Sequence, residues 1–399
     1  MKVLHAFMQP RSRGGSLAAT RATIASLEDR GVEIEVFTRD SRDIPATLVG
    51  RLSTAANAVY ARSAVRQFNA LLDESRPDLL HINELFPLIS AWILPVASRR
   101  GIPVVMSVDD YHLTCPVRTH FREGSICTQC LGGREHRAVI NNCRSSITES
   151  VIMATKSAIA RRFRLYLDHV SHFVFPSEFT RGWMIEHLGI DEDRTSVIPY
   201  IAEIPPTTVR PSRNDYIAFA GRFVPEKGID VLLEAAKLCG LPVRLARNEH
   251  HFSSIELPES AKVVVTTGRD DLAEFYRGAR MLIVPSVWFE TYGLVGVEAM
   301  SHGVPIIVSD LGAVAALVDD GVHGYRFRSG DPADLAGKMR VLWDDPDLCD
   351  RMGASAREKV LANCTAEIHS RRMLDLYESL VERSSEPVRT DRAADTQGS

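Results

Sequence analysis

Residues 281–309 read MLIVPSVWFETYGLVGVEAMSHGVPIIVS, and this stretch decides the fold. Met281–Pro285 is a short apolar run closed by a proline, the pattern of a buried strand. Leu294–Ser301 has helical character and is entered through Gly293; Pro305–Ser309 is a second buried strand. Strand, helix and strand in succession make a βαβ unit. Both strands are apolar throughout rather than alternating, which calls for a parallel sheet covered on both faces.

The same rhythm continues on either side. Tyr216–Ala220, Val243–Ala246 and Val263–Thr266 read as strands, and Lys227–Cys239 and Asp270–Arg277 as helices; Asp331 to Arg383 is helical. Tyr200–Asp215, with Pro205, Pro206, Pro211 and few apolar residues, breaks the rhythm as a linker does. Before it the alternation appears once more. Lys2–Met8, Val32–Thr38, Asp78–Ile82, Pro103–Val108 and His172–Pro176 read as strands. Ser16–Arg30, stopped by Gly31, and Pro87–Arg100 read as helices. The expected architecture is α/β, with two Rossmann-like domains facing each other across a cleft. They occupy 1–199 and 216–364, joined by a linker at 200–215. A helix at 365–383 and a polar, aperiodic tail at 384–399, expected to be disordered, complete the chain. Open α/β sheets bind ligands beyond the carboxyl ends of their strands, so both halves can address one ligand.

Composition narrows the function classes. The chain has 399 residues, 45% hydrophobic and 25% charged, with a formal net charge of −4. That is average for a globular protein and unlike a nucleic-acid binder. No apolar run approaches the ~20 residues of a membrane span. Met1–Met8 lacks the charged start and cleavage site of a signal peptide, so the cytosol is the expected compartment, with reduced thiols.

Three motifs carry chemistry. Gly14-Gly15-Ser16 lies between the first strand and the first helix, where glycines permit close approach of a phosphate to free helix N–H groups. A plain turn accounts for it equally well, and it is no G-x-G-x-x-G fingerprint. Gly221-Arg222-Phe223-Val224-Pro225-Glu226-Lys227-Gly228 follows the first strand of the second half. Arg222 and Lys227 can both aim beyond the strand end, where paired cations suit a diphosphate whose charge grows as it departs. Taken alone, the motif reads as a solvated pair on a loop. In Phe289-Glu290-Thr291-Tyr292-Gly293-Leu294-Val295-Gly296-Val297-Glu298-Ala299-Met300, Glu290 falls in the loop and Glu298 about one turn inside a largely apolar helix. Both carboxylates can accept from sugar hydroxyls, and a buried one needs a partner.

Together these motifs resemble glycosyltransferase family 4, of the two-domain GT-B fold. The resemblance runs from the first strand to about Leu380. It is carried chiefly by the two glutamates in Pro285-Ser286 … Gly-Leu-Val … Glu-Ala-Met … Gly303-Val304-Pro305 … Asp310 … Gly312, and by Ala220-Gly221-Arg222 … Glu226-Lys227-Gly228. It implies that Arg222 and Lys227 hold the donor diphosphate, Glu298 the ribose and Glu290 the transferred sugar. Gly15 and the backbone of Tyr292, Gly293, Leu294 and Val295 would complete the phosphate site, with Gly14 beside it. It further implies retention of anomeric configuration, no metal for the chemistry, and a last helix near Ala366–Glu382 that crosses back to the first domain. The expected reaction moves a sugar from a UDP- or GDP-sugar to a glycan or lipid-linked acceptor, in polysaccharide or glycoconjugate synthesis. A sugar-nucleotide epimerase and an inactive carbohydrate-binding relative are the alternatives. The chain departs from the family at Asp109, where many members carry a histidine near the donor sugar, and at His81-Ile82-Asn83, where His-x-His is usual.

Two further features stand apart. Cys115, Cys127, Cys130 and Cys143, in an insertion at 112–145, match either a structural zinc site or four ordinary thiols. Lys156, Arg161, Arg162 and Arg164 interleave with Ile159, Phe163 and Leu165. They read as a surface for anionic lipids at the inner face of the membrane, or as an ordinary covering helix, the favoured reading.

Overall fold

The computed structural model describes residues 1–9, 15–44, 47–248 and 256–385. Eight strands belong to the first half: β1 (Lys2–Gln9), β2 (Glu33–Asp40), β3 (Leu79–Ile82), β4 (Val104–Ser107), β5 (Phe121–Arg122), β6 (Ser125–Ile126), β7 (His172–Phe175) and β8 (Thr195–Val197). Six belong to the second: β9 (Ile217–Ala220), β10 (Val243–Asn248), β11 (Ala261–Thr266), β12 (Met281–Val284), β13 (Ile306–Ser309) and β14 (Gly324–Phe327). The first sheet has the order β2-β1-β3-β4-β7-β8 and the second β11-β10-β9-β12-β13-β14. Every pairing within the two sheets is parallel. The apolar strands explain this. The central strands β3, β7, β9, β12 and β13 are buried along their whole length, because helices cover both faces. In the second sheet the order reverses between β9 and β12, which opens a crevice at their carboxyl ends.

The helix Leu294–Ser301 has the bounds its pattern predicts. Pro87–Arg100 does not: only Ile93–Ser98 is helical, and Leu85–Trp92 turns back on itself through Ile89 N to Leu85 O and Ile93 N to Ser90 O. The last helix, Ala366–Ser385, runs two residues past the expected start of the tail; residues 386–399 of that expectation lie outside the described residues. This helix packs on the first domain. Its Met373, Tyr377 and Leu380 share a core with Val3, Leu27, Leu79 and Val105. The Tyr377 hydroxyl meets His81 Nδ1, and His369 Nε2 lies 2.9 Å from Thr23 Oγ1.

Within the basic stretch Lys156 alone turns inward. Lys156 is largely buried in the helix Ile147–Arg162, its Nζ 4.6 Å from the centre of the Phe86 ring, and burial pulls its pKa down to about 8. Arg161 pairs with Glu135 at 2.6 Å and Arg164 with Asp168 at 2.7 Å. Arg161, Arg162, Phe163 and Arg164 are exposed at the end of this helix. No described helix is long and apolar enough to cross a membrane.

Candidate active site

The site forms where the two sheets turn their carboxyl ends toward each other. The helix Gly15–Glu28 begins directly opposite the helix Leu294–Ser301: a Cβ built on Gly15 would stand 2.8 Å from Leu294 Cδ1. No side chain caps the second helix, whose N-cap Gly293 takes a left-handed φ of 95°. A helix start concentrates unpaired N–H groups and partial positive charge. Two such starts facing across a cleft form a cradle for a polyanion. Gly14 lies outside the described residues.

Lys227 and Glu290 meet beyond the carboxyl ends of β9 and β12. Lys227 follows β9 in a short 3-10 turn, Pro225–Lys227, closed by Gly228. Gly228 has φ 65°, and a Cβ there would stand 1.9 Å from Pro285 O, so only glycine lets this turn rest against the end of β12. That contact places Lys227 Nζ 2.6 Å from Glu290 Oε1, which also accepts from Ser286 Oγ at 2.7 Å. Burial alone would lift the Glu290 carboxyl; the charge and hydrogen bond of Lys227, with Ser286, hold it below its ordinary value instead.

Arg222 and Lys227 have separate partners: the Arg222 side chain is half exposed with its guanidinium 3.5 Å from Glu226 Oε1, and Lys227 pairs with Glu290. Glu298 is likewise separate from Glu290. It accepts from Tyr276 Oη at 2.8 Å, and burial raises its carboxyl above the usual range against that bond. The partner of this carboxylate on the helix, unreadable in the sequence, is thus Tyr276. Tyr292 is buried edge-on to Tyr200, with its hydroxyl 3.2 Å from Cys364 Sγ, so only its backbone is left for a ligand.

Asp109 is the hub between the domains. It accepts from Ser16 Oγ at 2.7 Å, Tyr200 Oη at 2.7 Å and Asn83 Nδ2 at 3.4 Å. Its backbone carbonyl accepts from Thr291 Oγ1 at 3.1 Å. From the other side, Ser177 Oγ and Thr180 Oγ1 donate to Thr291 O at 2.8 and 3.1 Å. Asp109 thus ties helix start, linker and donor loop together. Burial lifts its carboxyl above the ordinary aspartate value, with the hydrogen bonds opposing. The sign follows: between the ordinary and the raised value the folded chain keeps a proton the unfolded chain has lost, so this group lowers stability as pH rises through that window. Asp109→Asn should flatten that slope in urea-unfolding midpoints taken from about pH 4 upward.

Ser177, Thr180, Tyr200 and Tyr276 were not singled out by the sequence, and Ser16 and Ser286 stood in its motifs without a role. Ser177 and Thr180 had a readable signal: Ser177 caps the helix Glu178–Leu188, which ends at a left-handed Gly189.

In the insertion, Cys115 is buried and Cys127, Cys130 and Cys143 half-buried, all as free thiols. Among the described residues, the acidic and imidazole atoms of Glu84, Asp110 and His112 alone lie within 4.8 Å of one another as a group of three. The Arg118 guanidinium bridges Glu84 and Asp110, which satisfies that group without a metal.

Two parallel-sheet domains facing across a cleft define a GT-B protein. The family model for glycosyl transferases group 1 matches residues 201–359, and that for the glycosyl transferase 4-like domain matches 14–200. Between them the two models, both of glycosyltransferase domains, account for residues 14–359.

Among curated relatives, the D-inositol 3-phosphate glycosyltransferase of Nocardia farcinica is 26% identical over 382 residues, covering 86% of this chain and 80% of that one. The protein of the same name from Corynebacterium kroppenstedtii is 29% identical over 250 residues, 54% of this chain and 55% of that one, so the match spans about half its length. Among solved structures, sucrose-phosphate synthase from Thermosynechococcus elongatus superposes with a TM-score of 0.68 at 17% identity, covering 96% and 99% of the two chains. Anabaena HepE in complex with UDP and glucose gives 0.63 at 16%, covering 95% and 100%.

Proposed function

We propose that the chain transfers a sugar, with retention, from a UDP- or GDP-sugar to a glycan or lipid-linked acceptor. The carrying observation is the opposition of the Gly15 and Leu294 helix starts together with the Lys227–Glu290 pair. In this reading the diphosphate lies in the cradle and Lys227 releases Glu290 to face it. Glu290 then accepts from hydroxyls of the sugar, and Glu298 from those of the ribose. As the glycosidic bond breaks, negative charge collects on the leaving phosphate, and the helix starts and Lys227 stabilise it, with Arg222 swinging in. No metal enters this chemistry. Relatives that act on inositol phosphate support a polyhydroxylated acceptor, and a UDP-bound structural neighbour supports UDP.

Thermal shift against a panel of nucleotides and nucleotide sugars tests the donor. A ligand at a hundred times its dissociation constant adds ~2.7 kcal/mol of stability. Glu298→Gln should weaken binding of the bare nucleoside diphosphate, whereas Glu290→Gln should leave it intact and slow turnover. Equal losses of diphosphate affinity in both would contradict the two assignments. Incubation with donor alone separates transfer from epimerisation: an epimeric product in the absence of acceptor would favour the epimerase.

A further inference from the structure

The insertion after β4 is well defined in shape and almost without a core. Between Cys115 and Ser146 the only buried apolar residues are Pro116, beside Cys115, and Ala138. Regular structure there amounts to the two-residue strands β5 and β6 and one short helix, His136–Ile140. Backbone strain is concentrated in the same place. Among the described residues, seven non-glycine residues have left-handed φ, and five of them are here: Arg118, His120, Glu123, Asn142 and Ser145. Each such residue costs roughly 1–2 kcal/mol. One buried proline and one buried alanine do not offset that sum, and small segments lacking a core are held by cross-links or metals.

The four cysteines are placed to supply such a link. Cys115 enters the insertion, Cys127 and Cys130 follow the β5–β6 hairpin, and Cys143 closes the short helix. Backbone hydrogen bonds brace their loops: the Cys127 N–H donates to His120 O at 2.7 Å, the Arg134 N–H to Cys130 O at 3.2 Å and the Cys143 N–H to Ala138 O at 3.0 Å. The two residues after Leu131, Gly132 and Gly133, are left-handed glycines that turn the Cys127/Cys130 loop back on itself.

We propose that Cys115, Cys127, Cys130 and Cys143 bind one zinc ion, which fixes the insertion and through it one wall of the active-site cleft. Four thiolates in a tetrahedron are a full structural shell for zinc. Binding releases the four thiol protons and leaves a formal double negative charge. No three of these sulfurs stand within 4.8 Å of one another here, so zinc binding must bring them closer.

The wall is the aromatic cluster that the insertion props up. His120 donates or accepts at Thr114 Oγ1 (2.8 Å) and Cys127 O (2.9 Å), and its ring lies 5.4 Å from Tyr111 and 5.0 Å from Trp183. Trp183 in turn lies 5.1 Å from Phe289, and the Tyr111 hydroxyl 3.5 Å from Glu290 O. A chain of contacts thus joins the cysteine loop to the donor loop. Its metal content is independent of whether the chain transfers a sugar.

The test is elemental analysis of the full chain purified under reducing conditions without added metal, with thiols titrated in the native state. The expected result is about one zinc per chain, released when a mercurial modifies the protein in the presence of a chromogenic zinc indicator. Cys127→Ser/Cys130→Ser should abolish it, and Cys349→Ser, remote from the insertion, should not. Hydrogen exchange on the chelated wild-type protein should show lost protection across 111–145 and in the Phe289–Thr291 loop, with β10 and β11 unchanged. Zinc near zero with seven free thiols, a mass decrease showing disulfides, or iron at the same thiols would each overturn the metal assignment. Exchange confined to 115–145 would overturn the coupling to the cleft.

Discussion

Lys227→Ala is expected to slow sugar transfer on the order of 10²–10³-fold, the usual worth of one preorganised donor to a developing charge. The ground-state diphosphate is already anionic, so donor affinity also falls, but by less, because only the charge gained at bond breaking accelerates the chemical step. A second effect comes from the ion pair. The Glu290 side chain is 9% exposed and loses the charge of Lys227, and stranding a buried carboxylate costs roughly 3–5 kcal/mol. The depressed Glu290 pKa gives the wild type stability that is present above the ordinary glutamate value and lost as pH falls through the depressed one. The variant should lack that acid limb. Adding Glu290→Gln should recover much of the stability and none of the turnover. A folded Lys227→Ala protein with wild-type turnover at saturating donor would leave the lysine a docking residue.

Gly228→Ala is the substitution expected to damage the site most through the backbone. Left-handed φ costs an alanine about 1–2 kcal/mol, and the new Cβ would stand 1.9 Å from Pro285 O and 2.8 Å from its carbonyl carbon. Backbone atoms cannot step aside as a side chain can, so the turn must leave β12 at a total of roughly 3–5 kcal/mol. Lys227 moves with it and the pair to Glu290 breaks. Gly240→Ala is the control: φ is again 65°, but nothing lies within 4 Å, so about 1–2 kcal/mol is expected. Urea unfolding of both variants reads the difference directly; equal costs would mean that the Pro285 contact does not hold the turn.

The parts of this architecture legible in the sequence are those with a strong local pattern. Met281–Val284 and Ile306–Ser309 are uniformly apolar because both sheet faces are covered, and Leu294–Ser301 is bounded by Gly293 and by the His302-Gly303 turn. The edge strands β8 and β14 were not recognised. Thr195–Val197 spans three residues, and Gly324–Phe327 mixes buried with exposed positions, so neither carries the continuous apolar run of a central strand. At the site, residue types pointed to Lys227, Glu290, Glu298 and Asp109, but their partners were not readable. The Lys227–Glu290 pair joins residues 63 apart, and Tyr200 reaches Asp109 across 91. Such contacts depend on how two sheets are set against each other, which no window of sequence contains. The partners of Arg222 and Lys227 were equally unreadable: Arg222 faces Glu226 and Lys227 faces Glu290.

Calorimetric titration of the full chain with UDP, GDP and ADP and with the corresponding monophosphates tests the central claim most directly. The opposed helix starts of Gly15 and Leu294 with Lys227 are a cradle for two phosphates. One of the diphosphates should therefore bind at least about tenfold more tightly than its monophosphate, a difference of ~1.4 kcal/mol. Lys227→Ala should shrink that difference, and Arg222→Ala should do so less. Equal affinity for mono- and diphosphate, or no binding of any nucleotide, would contradict the account.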